Sequence, residues 1–271
     1  MNVMSIISTV VIIAGILGVA FSVVRGIGID MLLNVDALII VLGGTVVATL
    51  IGYPLKRIRE AMREVVSSFG KKNDREDLIQ YILALTMIHR RGGIRDLEDR
   101  LEEIADGFLR FGVNLIVNNY KESEIRHVME REMSLRVVSY NFTLNLLRSI
   151  TKVTPALGLA GTVISLIKMF KSIDSVENLM PLMAVALMST FYGVIISNLF
   201  VLPICAKLSE RAIYEETLMN MSIDGVIAIY NSENPLKIEE RLKRYHEVGS
   251  HKTAAASAKT FSAAAVAGYH G

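Results

Sequence analysis

The sequence predicts an all-α membrane protein, with four transmembrane helices in two hairpins and a helical cytoplasmic insert between spans two and three. Three observations support this fold class. The 271 residues are 52% hydrophobic and have a mean hydropathy of +0.43, which is too apolar for an ordinary soluble domain. Four stretches are apolar over the roughly 17–25 residues that a helix needs to cross a bilayer. Basic residues are concentrated in two segments, which fixes an orientation.

The four predicted spans are residues 3–24, 36–53, 150–170 and 179–204. The first of them lacks the basic start and the small-residue cleavage site of a secretory signal, so it is interpreted as a transmembrane helix. Most lysines and arginines lie between spans two and three or after span four, whereas the two other connections hold only Arg25 and Lys171. Because cytoplasmic loops carry the excess of positive charge, both termini are expected in the cytoplasm.

Five regions follow from this layout. They are a first transmembrane hairpin at 1–53, a cytoplasmic helical domain at 54–149, a second transmembrane hairpin at 150–204, cytoplasmic C-terminal helices at 205–250 and a tail at 251–271. The tail is rich in alanine and serine and has no apolar periodicity. We therefore expect it to be disordered or foreign to the fold, and we assign it no function.

Helical periodicity runs through the cytoplasmic regions. The first predicted helix follows Pro54, and its apolar positions 55, 58, 62, 65 and 66 fall on one face, the pattern of a helix with one buried side. Further helices are predicted at 75–89 (ended by Gly92-Gly93), at 96–111 (before a break at Asn118-Asn119), from near Ser123 into span three, at 207–219 as a continuation of span four, and at 236–246 after Asn234-Pro235. The sequence shows no strand-like alternation and no internal repeat.

Spans two, three and four each carry a face of small residues. The faces are Gly44, Ala48 and Gly52 in span two, Gly158, Thr162 and Ser165 in span three, and Ala186, Thr190, Gly193 and Ser197 in span four. Close helix packing explains such faces by itself, and hydroxyls often bond back to the preceding turn. The hydroxyls of spans three and four leave a second interpretation open, an ion path. Its candidate lining residues are Gly158, Thr162, Ser165, Ala186, Ser189 and Thr190.

Ionisable side chains are absent from the interior of every predicted span. Asp36 lies at the outer edge of span two, and Lys152 and Lys168 lie near the ends of span three. Because a proton or cation path normally needs an ionisable group within the membrane, another polypeptide is expected to supply the carboxylate. The small faces would then line a groove around a helix of that partner.

Two prolines, Pro155 and Pro203, are predicted near the cytoplasmic ends of spans three and four. Each removes one backbone hydrogen bond and weakens its helix locally. One interpretation is a static kink. The other is a paired hinge that couples ion occupancy to movement of the cytoplasmic helices.

Enzymatic chemistry is not indicated. The sequence has no P-loop, no Gly-x-Ser-x-Gly nucleophile turn and no metal-spaced histidine cluster, and the single Cys205 excludes a disulfide framework. We therefore expect no catalytic residue, no resident metal, no cofactor and no nucleic-acid partner.

Three segments together closely resemble the MotA/PomA family of flagellar motor stator subunits, namely residues 154–163, residues 183–193 and Leu202-Pro203. Residues 36–45 resemble the second span of that family, and residues 89–98 resemble its rotor-facing motif. The resemblance extends over residues 1–243 with the same four-span layout.

The resemblance implies an assembly in the bacterial inner membrane. A ring of five copies of this chain would surround two copies of a MotB/PomB-type subunit, which carries the membrane aspartate and anchors to peptidoglycan. Ion flow would make the ring step around that dimer, and membrane lipid would cover its outside.

The resemblance also implies roles for charged residues and prolines. Arg90 and Glu98, with Arg91, match the charges that meet the rotor protein FliG. A solvated helix face explains the same charges without a partner, since the insert is rich in both signs. Pro155 and Pro203 match the two functional prolines of the family.

The identity of the ion stays open. Thr162 and Thr190 match hydroxyls near the ion in sodium-driven members, so a transient Na⁺ is expected beside them. Proton-driven relatives keep similar hydroxyls, and the transported ion is therefore Na⁺ or H⁺. At the outer mouth many relatives carry an acid where this chain has Asn34, and here the acid is Asp36.

Two other classes compete with a stator. An ExbB/TolQ-like energiser of outer-membrane processes would share the last two spans but have three spans in all. The apolar hairpin at 3–53 argues against that alternative. The third class is a passive membrane scaffold.

Overall fold

The computed structural model describes residues 34–70, 75–171 and 176–245. This part of the chain consists of helices and connecting turns, with no strand in it. The predicted first span at 3–24 and the predicted tail at 251–271 lie outside the described residues.

Two compact units divide the chain. The span unit comprises Met1–Pro54 and Arg148–Leu202, and the core unit comprises Leu55–Leu147 and Pro203–Gly271. Each unit is therefore built from two separate stretches of sequence.

The helices follow one another in a simple order. They are α1 (Val35–Leu38), α2 (Gly44–Gly52), α3 (Leu55–Ser68), α4 (Arg75–Asp99), α5 (Gly107–Val117), α6 (Glu122–Lys171), α7 (Val176–Ile195), α8 (Leu202–Tyr230) and α9 (Pro235–Lys243). Two π-helical turns, Ile39–Gly43 and Ile196–Val201, join α1 to α2 and α7 to α8.

Within the described residues, three helical segments are long and apolar enough to cross a membrane, namely Val35–Gly52, Glu122–Lys171 and Leu179–Tyr230. Their most apolar windows have mean hydropathies of 2.2, 1.6 and 2.0, and they contain predicted spans two, three and four. An all-helical fold with membrane-type helices is thus confirmed. The count of four spans and their arrangement in hairpins stay predictions, because span one lies outside the described residues.

The predicted continuity of the long helices is confirmed. α6 begins at Glu122 and runs without a break to Lys171, although Pro155 lies inside it. α8 continues from span four as far as Tyr230, and α9 follows the predicted start signal at Asn234. The Asn234 side chain accepts a hydrogen bond from the Leu236 backbone N–H at 3.0 Å, which is the geometry of a helix N-cap.

One apolar core holds the core unit together. Its largest fully buried side chains come from α4, α5, α6, α8 and α9, and they are Ile82, Leu97, Leu109, Ile116, Ile125, Met129, Met221, Ile229, Ile238 and Leu242. Full burial of one such side chain contributes about 1.5–3 kcal/mol. The core unit is therefore organised like a helical domain in water.

One predicted helix, at 96–111, is wrong. α4 ends at Asp99, and α5 begins at Gly107. The Asp106 carboxylate accepts hydrogen bonds from the backbone N–H groups of Phe108 (2.9 Å) and Leu109 (2.7 Å). Those N–H groups lack partners only at the start of a helix, so the carboxylate favours a new helix at this point.

The predicted apolar face of the first cytoplasmic helix is only partly buried within the described chain, where positions 58 and 65 are half-buried. Positions 55, 62 and 66 of α3 are 70%, 59% and 69% exposed. α3 packs through another face, on which the Glu64 carboxylate accepts hydrogen bonds from the hydroxyls of Ser139 and Thr143 at 2.5 Å each. Periodicity found the amphipathic helix, and its apolar face is divided between half-buried and exposed positions.

Candidate functional site

Two threonines meet where α6 and α7 pack in the span unit. The hydroxyl oxygens of Thr162 and Thr190 lie 2.6 Å apart. The Thr162 hydroxyl is also 3.1 Å from the carbonyl oxygen of Ala186 and 3.2 Å from that of Gly158. Both threonines are half-buried. The structure therefore gathers four oxygen atoms at one place, the kind of ligand that replaces the water around a cation.

Two glycines allow the two helices to approach so closely. A Cβ added at Gly158 would lie 2.8 Å from the backbone oxygen of Ser189, and one added at Gly193 would lie 3.0 Å from that of Thr154. Small residues permit this contact between backbones, and in lipid such packing is a main source of helix association. Gly158 thus positions the threonines by its lack of a side chain.

The other predicted lining residues lie inside the helix packing. Ser189 is fully buried, and its hydroxyl donates to the Val185 carbonyl of its own helix at 2.8 Å. Ser165 and Ala186 are 2% and 4% exposed. The structure therefore brings Thr162, Thr190, Ala186, Gly158 and Ser189 together, and it leaves Thr162 and Thr190 less buried than the other predicted lining residues. A role of any of them in ion passage stays a prediction.

The second span packs against the third partly through two threonines that sequence reasoning missed. The Thr45 hydroxyl lies 3.3 Å from that of Thr154, and both side chains are buried. A Cβ added at Gly44 would lie 3.0 Å from Leu157. Gly44, at least, matches the predicted small-residue ladder, whereas Gly52 has no neighbour within 4 Å of an added Cβ. The sequence did offer one signal for this contact, the Thr45 hydroxyl next to Gly44 in span two.

The predicted prolines occupy different positions in their helices. Pro155 lies inside the continuous helix α6, and Pro203 lies in the first turn of α8, after the π-helical turn Ile196–Val201. The Ser197 hydroxyl, within that turn, donates to the backbone oxygen of Thr151 at 2.8 Å. A hinge at either proline stays a prediction.

The predicted outer-mouth residues stand at the start of α1. The Asn34 side chain accepts a hydrogen bond from the Ala37 N–H at 3.0 Å and so caps the helix. Its backbone N–H donates to the Tyr192 hydroxyl, also at 3.0 Å. The Asp36 side chain is exposed. Asn34 thereby has a structural task that the sequence alone did not reveal, and gathering of cations by either residue stays a prediction.

The predicted rotor-facing charges belong to the core unit. Arg90, Arg91 and Glu98 are all exposed on α4. The arginines precede the predicted break and the glutamate follows it. That break is confirmed as a bend, since Gly93 has a φ of +76°, a conformation that glycine adopts readily. The three charges are accessible to a partner, and contact with FliG stays a prediction.

Fold and site together define a class, a helical membrane protein whose spans meet through small residues and hydroxyls. A family model described as the MotA/TolQ/ExbB proton channel family matches residues 100–221. Chemotaxis protein PomA of Vibrio alginolyticus is 32% identical over 239 residues, which cover 88% of this chain and 94% of that one. The chain belongs to this family, within its MotA/PomA group of flagellar motor stator subunits.

Solved structures agree with this membership. C. jejuni MotAB superposes with a TM-score of 0.78 over 90% of this chain and 96% of that one, and at 20% identity it supports the fold alone. The flagellar MotAB stator complex from Bacillus subtilis gives a TM-score of 0.76 at 25% identity, covering 85% of this chain and 91% of that one.

Proposed function

We propose that this chain works as a stator subunit of the bacterial flagellar motor, where it converts ion flow into torque together with a MotB/PomB-type partner. One observation carries the proposal. The hydroxyls of Thr162 and Thr190 meet at 2.6 Å, while the described stretches 35–52, 150–171 and 179–204 contain only one acid, Asp36 at their outer edge. The site thus has oxygen ligands for a cation without a charge to balance it.

The partner's aspartate would supply that charge. An ion entering the membrane loses water, and hydroxyl and carbonyl oxygens replace part of its shell while the carboxylate neutralises it. The threonines of this chain orient and partly dehydrate the ion, and the close approach at Gly158 keeps them in register. The electrical drive is about 2.3 kcal/mol per charge per 100 mV, which biases one step of the ring against thermal reversal. No covalent chemistry is required.

Assembly of five chains around two partner subunits in the inner membrane belongs to the same proposal, with both termini in the cytoplasm. Exposed apolar side chains in the span unit support it. Leu187, Leu159 and Val163 are 69%, 61% and 55% exposed. Such faces need lipid or neighbouring chains to cover them.

Reconstitution into liposomes tests the division of labour. The chain alone should be electrically silent, and addition of the MotB/PomB-type partner should produce cation flux. Robust cation currents from the chain alone would contradict the proposal. In cells that carry the complex, motor speed should follow external sodium at fixed pH if Na⁺ is the ion, and indifference to sodium would indicate protons.

An ExbB/TolQ-like energiser remains the alternative, because the family description includes both of those names. Restoration of swimming in cells that lack their own stators would support the stator. Restoration of outer-membrane transport or integrity, without swimming, would support the energiser.

A further inference from the structure

Pro155 leaves one backbone carbonyl of α6 without its usual partner. In an α-helix the carbonyl of residue i−4 accepts a hydrogen bond from the N–H of residue i, and proline has no N–H. Four residues before Pro155 stands Thr151. An acceptor without a donor is costly in apolar surroundings, and a neighbouring hydroxyl is one of the groups that can satisfy it in a membrane.

The hydroxyl of Ser197 takes the place of the missing donor. Its Oγ donates to the Thr151 carbonyl oxygen at 2.8 Å. The serine is 2% exposed, so water cannot easily replace it. Two other hydroxyls in the spans behave differently, since Thr49 and Ser189 donate to carbonyls four residues earlier in their own helices. Ser197 bonds across to the helix that the proline has weakened.

Ser197 also stands at an irregular point of its own span. It belongs to the π-helical turn Ile196–Val201, in which the N–H of Leu202 donates to the Ser197 carbonyl five residues back. Pro203 comes next in the chain and has no N–H to donate to Leu199. One side chain thereby connects the segment weakened by Pro155 to the turn that precedes Pro203.

A glycine one turn earlier completes the contact. A Cβ added at Gly193 would lie 3.2 Å from the Cα of Pro155. Gly193 and Ser197 are four residues apart and face the same neighbour, as the helical repeat requires. Span four therefore offers the segment at Pro155 both a close backbone contact and a hydrogen-bond donor.

We infer that Ser197 is a positioning residue that holds the shape of span three at Pro155 by donating its hydroxyl to the Thr151 carbonyl. The inference rests on the proposed function, together with the hinge that the sequence predicts at Pro155. While the bond is made, one bend angle is favoured. When it is absent, bent and straighter forms become closer in free energy. Loss of one buried hydrogen bond shifts such an equilibrium by about fivefold.

Torque measurements test the effect on function. Ser197→Ala in the complete complex with its partner should lower the torque at stall by about twofold or more, since the bend no longer has one favoured angle, while the complex still assembles. Ser197→Thr keeps the donor and should restore the torque. Thr49→Val is the matched control, because the Thr49 hydroxyl donates only to the Thr45 carbonyl of its own helix, at 2.7 Å.

A double-mutant cycle on the purified complex tests the bond itself. Pro155→Ala gives residue 155 an N–H that can donate to the Thr151 carbonyl. Ser197→Ala should therefore lower the thermal midpoint clearly in the presence of Pro155 and much less when combined with Pro155→Ala. A merely structural serine would lower the midpoint equally in both backgrounds.

The outcomes separate the claims. Equal shifts in the two backgrounds overturn the assigned bond. A coupled cycle together with normal torque in Ser197→Ala overturns the positioning role. If the unmodified chain and its partner produce no torque in motor cells, the proposed function itself fails, and the cycle still decides whether the bond exists.

Discussion

The span unit and the core unit use their apolar residues in opposite ways. The core unit buries a large cluster of leucine, isoleucine, valine and methionine side chains. In the span unit the main buried apolar cluster among described residues consists of Ala37, Val41, Met188 and Tyr192, while Ile51 and Leu187 are 83% and 69% exposed. Its buried interior is largely made of small and hydroxylated residues.

This difference reflects the solvent that each unit meets. Burial of apolar surface away from water stabilises the core unit. Lipid removes that driving force between helices, so the span unit depends on close backbone contact and on hydroxyls that satisfy backbone carbonyls. A contact of this kind leaves no room for an added atom.

The largest expected effect is a cavity in the core unit. Leu109 has no solvent exposure, so Leu109→Ala should lower the free energy of unfolding by about 2–5 kcal/mol. Leu135, 61% exposed in the same unit, provides the control, and Leu135→Ala should change little. Thermal unfolding of the full chain in detergent measures both. Equal losses of stability in Leu109→Ala and Leu135→Ala would contradict the conclusion that this unit is held together by a buried apolar core.

In the span unit we expect the opposite kind of substitution, one that adds a methyl group, to reduce stability most. Gly158→Ala places a Cβ 2.8 Å from the Ser189 backbone oxygen, which cannot move without moving the helix. We expect a loss of about 1–3 kcal/mol by overpacking. Gly43→Ala is the control, since nothing lies within 4 Å of its added Cβ. An unchanged thermal midpoint in Gly158→Ala would contradict the conclusion that close backbone contact stabilises the packing of the spans.

Sequence patterns predicted most helices well but missed one helix start. The continuity of α6 into span three was predicted, and the bend at Gly93 followed from paired glycines. The restart at Gly107 was missed because Asp106 reads as an ordinary polar residue until its bonds to backbone N–H groups are seen. Whether a polar residue caps a helix depends on the backbone geometry of the residues that follow it, which the sequence does not show.

Contacts between helices were the least predictable part of the site. The small faces of spans three and four were visible in the sequence, and the meeting of Thr162 and Thr190 agrees with them. Predicting the hydrogen bond from Ser197 to the Thr151 carbonyl requires the rotation of two helices about their axes and their relative shift along those axes. The spacing of residues along the sequence does not give either quantity.

A smaller effect on stability is expected for the contact between Tyr245, which follows α9, and Asp224 of α8. The Tyr245 hydroxyl donates to the Asp224 carboxylate at 2.6 Å, and burial, together with this bond, raises the pKa of Tyr245 to about 12. A raised pKa means that its stabilisation is complete below pH 10.0, the ordinary value, and is lost as pH rises toward 12. Because the side chain is partly exposed, Tyr245→Phe should cost only about 1 kcal/mol at neutral pH.

The measurement is the thermal midpoint as a function of pH. Between pH 10 and pH 12 the thermal midpoint of the unmodified chain should fall, in part because Tyr245 ionises. In Tyr245→Phe that part of the fall should be absent. Tyr81→Phe serves as the control, since that side chain is 49% exposed on α4. An identical decline in Tyr245→Phe would show that other groups control this region.

The smallest change in stability is expected at the exposed charges of α4, and there the effect should be on motility. Arg90→Glu or Glu98→Arg should alter the free energy of unfolding by no more than about 0.5 kcal/mol, because both side chains are solvated. If they meet a charged rotor surface, each reversal replaces attraction with repulsion and should impair swimming. A compensating charge reversal in FliG should partly restore it.

Arg131, exposed elsewhere in the core unit, supplies the matched charge control. Arg131→Glu changes net charge by the same amount as Arg90→Glu, so a general electrostatic effect on solubility or assembly would appear in both. Loss of swimming only in the α4 variants, with rescue from the rotor side, would assign the contact to that helix. Normal swimming in the double reversal of Arg90 and Glu98 would mean that these charges only keep the helix surface hydrated, and the rotor contact would have to be sought on another face of the core unit.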